Sequence, residues 1–206
     1  MILETIPVGP MEANCYILAA GESSPAIIID PGQDERKIQK ALDKYKLQAA
    51  LVVNTHGHYD HIGADDKFKV AVYAHKDDVA LLLDARLNLS GVFSSAYEVK
   101  SKILPLEDGG IVQAPGLQLK VLHIPGHTAG GIALLLIQPE KNIVFTGDSL
   151  FCGSIGRTDL AGGSEALLIK GIKEKLFSLP DETIVYPGHG DSSTIGAEKR
   201  DNPFLA

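Results

Sequence analysis

His56, His58, Asp60 and His61 crowd into six positions of "THGHYDH", directly after the apolar run "LVV". Three further windows carry the same kinds of side chain: His127 in "PGHT", Asp148 in "TGDS" and His189 in "PGHG". Five of the chain's seven histidines fall in three of these four windows. Imidazole and carboxylate ligands without thiolate suit Zn²⁺, Fe or Mn²⁺ at an open, water-bearing site. A structural zinc site more often uses cysteines and fills all four positions. A single "PGH" is an ordinary turn histidine, whereas three histidines in six positions are rare without a ligand. Together the four windows predict a metal centre.

Strand-like runs must deliver these groups. "NCYILAA" and "AIIID" read as strands, the second ending in a Pro31-Gly32 turn. "DERKIQKALDKYK" places Ile38, Ala41, Leu42 and Tyr45 at helical spacing, with Asp34 in position to cap its start. "LQAALVVN" is a buried strand feeding the first window, followed by the strand "VAVYAH" and the helix "KDDVALLLDA". The second half repeats the plan: "LQLKVLHIP", "GIALLLI" and "NIVFTG" as strands, "SEALLIKGIKEKLFSL" as an amphipathic helix, "TIVYPG" as a last strand. Glycine beside His127, Asp148 and His189 lets the backbone bend sharply at each strand end. Two sheets packed face to face with helices outside, in a single domain over residues 1–206, is the expected architecture. Residues 86–104 show little periodicity and read either as a flap over the site or as a loosely helical surface segment.

Composition narrows the partners. A chain of 206 residues, 45% hydrophobic and 22% charged, suits a soluble globular domain. Its net charge of −7 and dispersed Lys and Arg argue against nucleic acid. The first residues lack a basic leader and no apolar stretch is long enough to span a bilayer, so neither a signal peptide nor a membrane partner is expected. Cys15 and Cys152 lack a close-spaced partner, which points to a reduced, cytoplasmic setting and gives Cys152 no catalytic role.

In this order, "IIIDPG", "THGHYDH", "IPGHT", "TGDSLF", "GSIGRTD" and "YPGHG" resemble the metallo-β-lactamase superfamily over nearly the whole chain. Within it they resemble the glyoxalase II-type (hydroxyacylglutathione hydrolase) branch. The resemblance implies an α/β fold, an αββα sandwich with two divalent metal ions at one edge, zinc first, iron or manganese as alternatives. It implies that His56, His58 and His127 hold one metal and that Asp60, His61 and His189 hold the other. It further implies that Asp148 bridges both and that Asp60 and Asp148 are the catalytic carboxylates. Asp148 without a cysteine ligand is closer to thioester hydrolases than to antibiotic-hydrolysing zinc enzymes, implying a small-molecule thioester substrate.

The chemistry agrees. Paired metals about 3.5–4 Å apart bring the pKa of water to about 7. A thiol of pKa roughly 8.5 leaves as thiolate with little help from an acid. The "GRTD" segment also resembles persulfide dioxygenases, which implies the alternative of one Fe(II) held by His56, His127 and Asp148. Hydrolysis of another ester or lactone, or a binding domain that merely retains a metal, are the remaining readings. Full-length glyoxalase II enzymes add a basic C-terminal extension, which "AEKRDNPFLA" leaves no room for, so weak glutathione recognition is expected.

Several residues carry smaller expectations. Asp30 is either a turn aspartate or a group that orients a ligand histidine, and Thr55 and Thr128 are placed to do similar work. His75 reads as a surface histidine, His123 as a packed one, and Arg157–Asp159 as a structural ion pair.

Overall fold

The computed structural model describes residues 1–93, 95–139 and 142–205. One sheet is formed in order by β1 (Ile2–Val8), β2 (Ala13–Ala19), β3 (Pro25–Ile29), β4 (Gln48–Val53), β5 (Val72–His75) and β6 (Ile103–Leu106). In the second, β7 (Ile111–Ala114), β8 (Leu117–His123), β9 (Ile132–Gln138) and β10 (Ile143–Gly147) lie side by side in sequence order. After the ribbon of β11 (Leu150–Phe151) and β12 (Ser154–Ile155), β13 (Ile184–Pro187) joins β10 in parallel, and β14 (Ser193–Thr194) forms the far edge. Strands β3 to β6 are parallel to one another.

Side-chain alternation explains the layering. Along β2 and β3, Tyr16, Leu18, Ile27 and Ile29 face the other sheet and pack on Leu119, Val121, Leu134 and Phe145. Their neighbours Ile17, Ala19, Ala26 and Ile28 face outward onto Ile38 and Leu42 of the Glu35–Lys44 helix. A strand buried on both faces must be apolar at every position, hence the unbroken "AIII" run. On the other sheet, Val144 and Val185 point outward and are covered by Leu168, Ile172, Leu176 and Ile195. The result is the expected αββα sandwich. No helix is long and apolar enough to cross a membrane among the described residues.

Some local expectations fail. Asp34 stands before its helix but adopts φ 53° and makes no side-chain cap. Its carboxylate instead accepts from the Gly9 N–H and pairs with Lys37 at 2.7 Å. The expected continuous helix from Ser164 is α-helical over Glu165–Gly171 and then opens into a π turn, Ile172–Leu176. "KDDVALLLDA" divides into a 3₁₀ turn, Lys76–Asp78, and the short helix Val79–Leu83. Segment 86–104, of which Ser94 lies outside the described residues, contains the short helix Ser90–Phe93 and the start of β6.

Candidate metal centre

All four windows lie just past strand ends: β4 leads to His56, β8 to His127, β10 to Asp148 and β13 to His189. Parallel strands in both sheets bring these ends to one edge of the sandwich, where open α/β sheets commonly place their ligands. The structure gathers all seven predicted residues there. Ligand atoms of His56, His58 and His127 lie within 4.8 Å of one another, as do those of His56, His61 and Asp148, and those of Asp60, His61 and His189.

Ring nitrogens face ring nitrogens across this edge. His58 Nδ1 is 2.9 Å from His127 Nε2, and His61 Nε2 is 3.3 Å from His189 Nε2. Asp148 lies between the groups: its Oδ1 is 3.4 Å from His61 Nε2 and its Oδ2 is 3.6 Å from His127 Nε2. Asp60 Oδ2 approaches His189 Nε2 at 3.2 Å and His61 Nε2 at 3.5 Å.

The outer ring nitrogens are tied back. His127 Nδ1 bonds the Arg157 carbonyl at 2.8 Å, His189 Nδ1 the Met11 carbonyl at 3.0 Å, and His61 Nδ1 the Asp30 carboxylate at 3.1 Å. His56 Nδ1 meets the Thr55 hydroxyl at 3.2 Å. A nitrogen that donates to a carbonyl leaves its partner on the same ring unprotonated and aimed inward, the arrangement that metal-bound histidines use. His56 Nε2 and Asp148 Oδ1 are buried without any hydrogen-bond partner. Orphaned acceptors of this kind are costly unless a cation satisfies them, so the donor set fits a metal.

Electrostatics divide the cluster. Burial, reinforced by neighbouring histidines, holds His56 well below its ordinary pKa and lowers His58 to about 4. Burial acts in the same direction on His61 and His189, but Asp60 and Asp148 outweigh it and raise both. Asp60 is lowered in turn: burial opposes its ionisation, and His61 and His189 override that.

Several supports were not singled out in the sequence. Asp78 is fully buried and accepts from Gly57 N at 2.9 Å, Thr128 Oγ1 at 2.7 Å and Gly130 N at 2.6 Å, locking the His56–His58 loop to the His127 loop. Nothing in "HKDD" separates it from its exposed neighbour Asp77. Asn14 Nδ2 donates to the Pro187 and Gly190 carbonyls and so holds the His189 turn. Gly188 is required by space: a Cβ there would stand 2.1 Å from Asp148 Oδ1.

Other placements follow. Asp30 is buried and also accepts from Thr55 N and Oγ1, at 2.7 and 2.6 Å, so it orients a histidine rather than merely forming a turn. Thr128 serves Asp78 and touches no histidine of the cluster through its hydroxyl. Arg157 and Asp159 form the expected exposed ion pair, at 2.7 Å. His75 is buried rather than at the surface, and the half-buried His123 packs its ring against it. Asn88 and Leu89 line the cavity over the cluster, so part of segment 86–104 does cover the site.

A model of the metallo-beta-lactamase superfamily matches residues 8–189. A Haemophilus influenzae protein described as the hydroxyacylglutathione hydrolase GloC is 37% identical, over 100% of this chain and 98% of its own length. Among solved structures, the BLEG-1 B3 metallo-beta-lactamase superposes with TM-score 0.90 at 36% identity, covering 100% of both chains. TTHA1623, solved in a di-iron-bound form, gives TM-score 0.85 at 36% identity over 98% of this chain and 100% of that one.

Proposed function

Because the chain belongs to the metallo-beta-lactamase superfamily and is a metal-dependent hydrolase of that family, we propose that it cleaves a small acyl thioester, of the hydroxyacylglutathione type, with two divalent cations. The observation that carries the reading is Asp148, whose carboxylate reaches both histidine groups: it lies 3.4 and 3.7 Å from His61 and His189 Nε2 and 3.6 Å from His127 Nε2. His56, His58 and His127 would hold one cation, Asp60, His61 and His189 the other, and Asp148 both. Bound there, the pair supplies a hydroxide at neutral pH and a Lewis acid for a carbonyl oxygen.

The chain's own residues do the rest. Asp30, Thr55 and the carbonyls of Met11 and Arg157 fix the orientation of the His61, His56, His189 and His127 rings ahead of metal binding. The cavity above the cluster, about 210 Å³, is walled by Met11, Tyr59, Leu89 and Leu160, with Asn88 and Arg157 as polar groups. That volume suits a small acyl group. A neighbouring groove of about 280 Å³, shared along Met11 and Tyr59, offers room for the thiol portion. The Arg157 guanidinium is held by Asp159, and the Tyr59 hydroxyl accepts from the Gln33 amide. A thiolate leaving group, with a thiol pKa of roughly 8.5, asks for no proton donor, whereas an amine does.

The relative named for hydroxyacylglutathione supports the thioester; the one named as a B3 metallo-beta-lactamase makes β-lactam cleavage the outcome to exclude. Asp60 argues against a single-iron oxygenase, because it completes a second ligand group beside His61 and His189. Steady-state assays of the metal-loaded protein on S-lactoylglutathione, a truncated acyl thioester, a persulfide and a β-lactam test the proposal. Metal-dependent thiol release from both thioesters is expected. Turnover of the β-lactam or the persulfide alone would overturn it.

A further inference from the structure

A second histidine pair stands apart from the seven residues above. His75 ends β5 in one sheet and His123 ends β8 in the other, and their rings stack with centroids 3.9 Å apart and planes 14° from parallel. Asp77 brings a carboxylate oxygen to 3.6 Å from His75 Nδ1. One ligand-type atom from each of the three residues lies within 4.8 Å of the other two.

Tautomers favour a cation over a mere stack. His123 Nε2 lies 2.9 Å from the Ala129 carbonyl, to which only an N–H can bond, so Nδ1 carries a free lone pair. His75 Nδ1 is likewise an acceptor, held only by the long 3.3 Å bond from the Asp77 N–H. A ring nitrogen donating to a backbone carbonyl while the other keeps its lone pair is the arrangement of a histidine ready to ligate. The surrounding charges leave room for a cation. Lys76 is paired with Glu107, and Lys175 with Asp108, which also accepts from the His123 N–H. Burial and the neighbouring His123 keep His75 below its ordinary pKa, so its ring does not repel a cation.

We propose that His75, Asp77 and His123 form a separate site for a divalent transition-metal ion of the zinc class, completed by water. Face-to-face rings cannot both direct a lone pair at one ion, so His123, the less buried of the two, tilts out of the stack on binding. An ion there clips β5 to β8 and thereby one sheet to the other. It also lies next to Asp78, whose carboxylate holds both loops of the catalytic cluster, and next to Ala129 of the His127 loop.

The test is a zinc titration of protein whose catalytic cluster is already metal-saturated, followed by native mass spectrometry and thermal unfolding. Wild type is expected to take one more zinc per chain than His123→Gln, and its transition temperature to rise with that ion while the variant's does not. Asp77→Asn should weaken the same step about tenfold. The comparison is between variants, so it holds whether the catalytic cluster carries one ion or two. Equal zinc counts in wild type and His123→Gln, with both folded by circular dichroism, would overturn the proposal.

Discussion

Replacing Asp78 by alanine tests whether one buried carboxylate holds the metal-bearing loops together. The substitution strips three buried donors of their acceptor: Gly57 N–H, Thr128 O–H and Gly130 N–H. Each orphaned donor costs about 1–3 kcal/mol. Water entering the vacated space recovers part of this, and burial already penalises the charge of Asp78, raising its pKa. A net loss of about 3–5 kcal/mol is therefore expected. For a chain of this size each kcal/mol moves Tm by about 2–4 °C, so calorimetry of the metal-free protein should show a fall of about 6–20 °C. Gly57 lies between His56 and His58, and Thr128 follows His127, so loosening these loops should also weaken metal binding by about 10–100-fold in chelator competition. Thr128→Val removes one donor instead of orphaning three, and should cost far less. A change in Tm below about 2 °C with unaltered metal affinity would refute the idea that Asp78 couples the loops.

Other expectations concern the cluster itself. Asp148→Ala should lower activity by orders of magnitude and lose metal from both groups while circular dichroism stays native; near-normal turnover with two ions retained would remove its bridging role. Gly188→Ala pushes a methyl group onto Asp148 Oδ1 and to 2.9 Å from His61 Cε1, so metal content and activity should fall together, as measured by plasma emission and thiol release. The two ligand groups should also differ in acid. His61 is raised by its carboxylates, so a cation must displace a proton there, and affinity should fall about tenfold per pH unit below that raised pKa. His56 and His58 are depressed, the latter to about 4, and present no proton to displace until the solution approaches that pH. On acidification from pH 8 the ion at Asp60, His61 and His189 should therefore leave first; simultaneous release, followed by anomalous scattering at several pH values, would count against this.

Much of the site was legible because its signals are local. A run such as "AIII" demands burial on both faces, and "THGHYDH" compresses four chemical groups into one loop. Strand ends followed by glycine announced where His127, Asp148 and His189 turn inward. What escaped was set by tertiary contact. Asp78 and Asp77 are neighbours of the same type, and only the approach of the Thr128–Gly130 loop distinguishes them. His75 and His123 meet through the packing of two sheets, across a separation no pattern encodes. Asp34 occupied the right position for a cap, yet Gly9 and Lys37 competed for its carboxylate and won. Short edge strands such as β14, with two residues, are too brief for periodicity to register.

Titrating metal-free protein with zinc or iron(II) while following thiol release from S-lactoylglutathione tests the dinuclear thioesterase most directly. Release should rise to its maximum only as the second equivalent binds, because the proposed mechanism uses both Asp148 and the Asp60, His61 and His189 group. A maximum reached at one equivalent, or no thiol at all from protein that consumes oxygen with a persulfide, would contradict it.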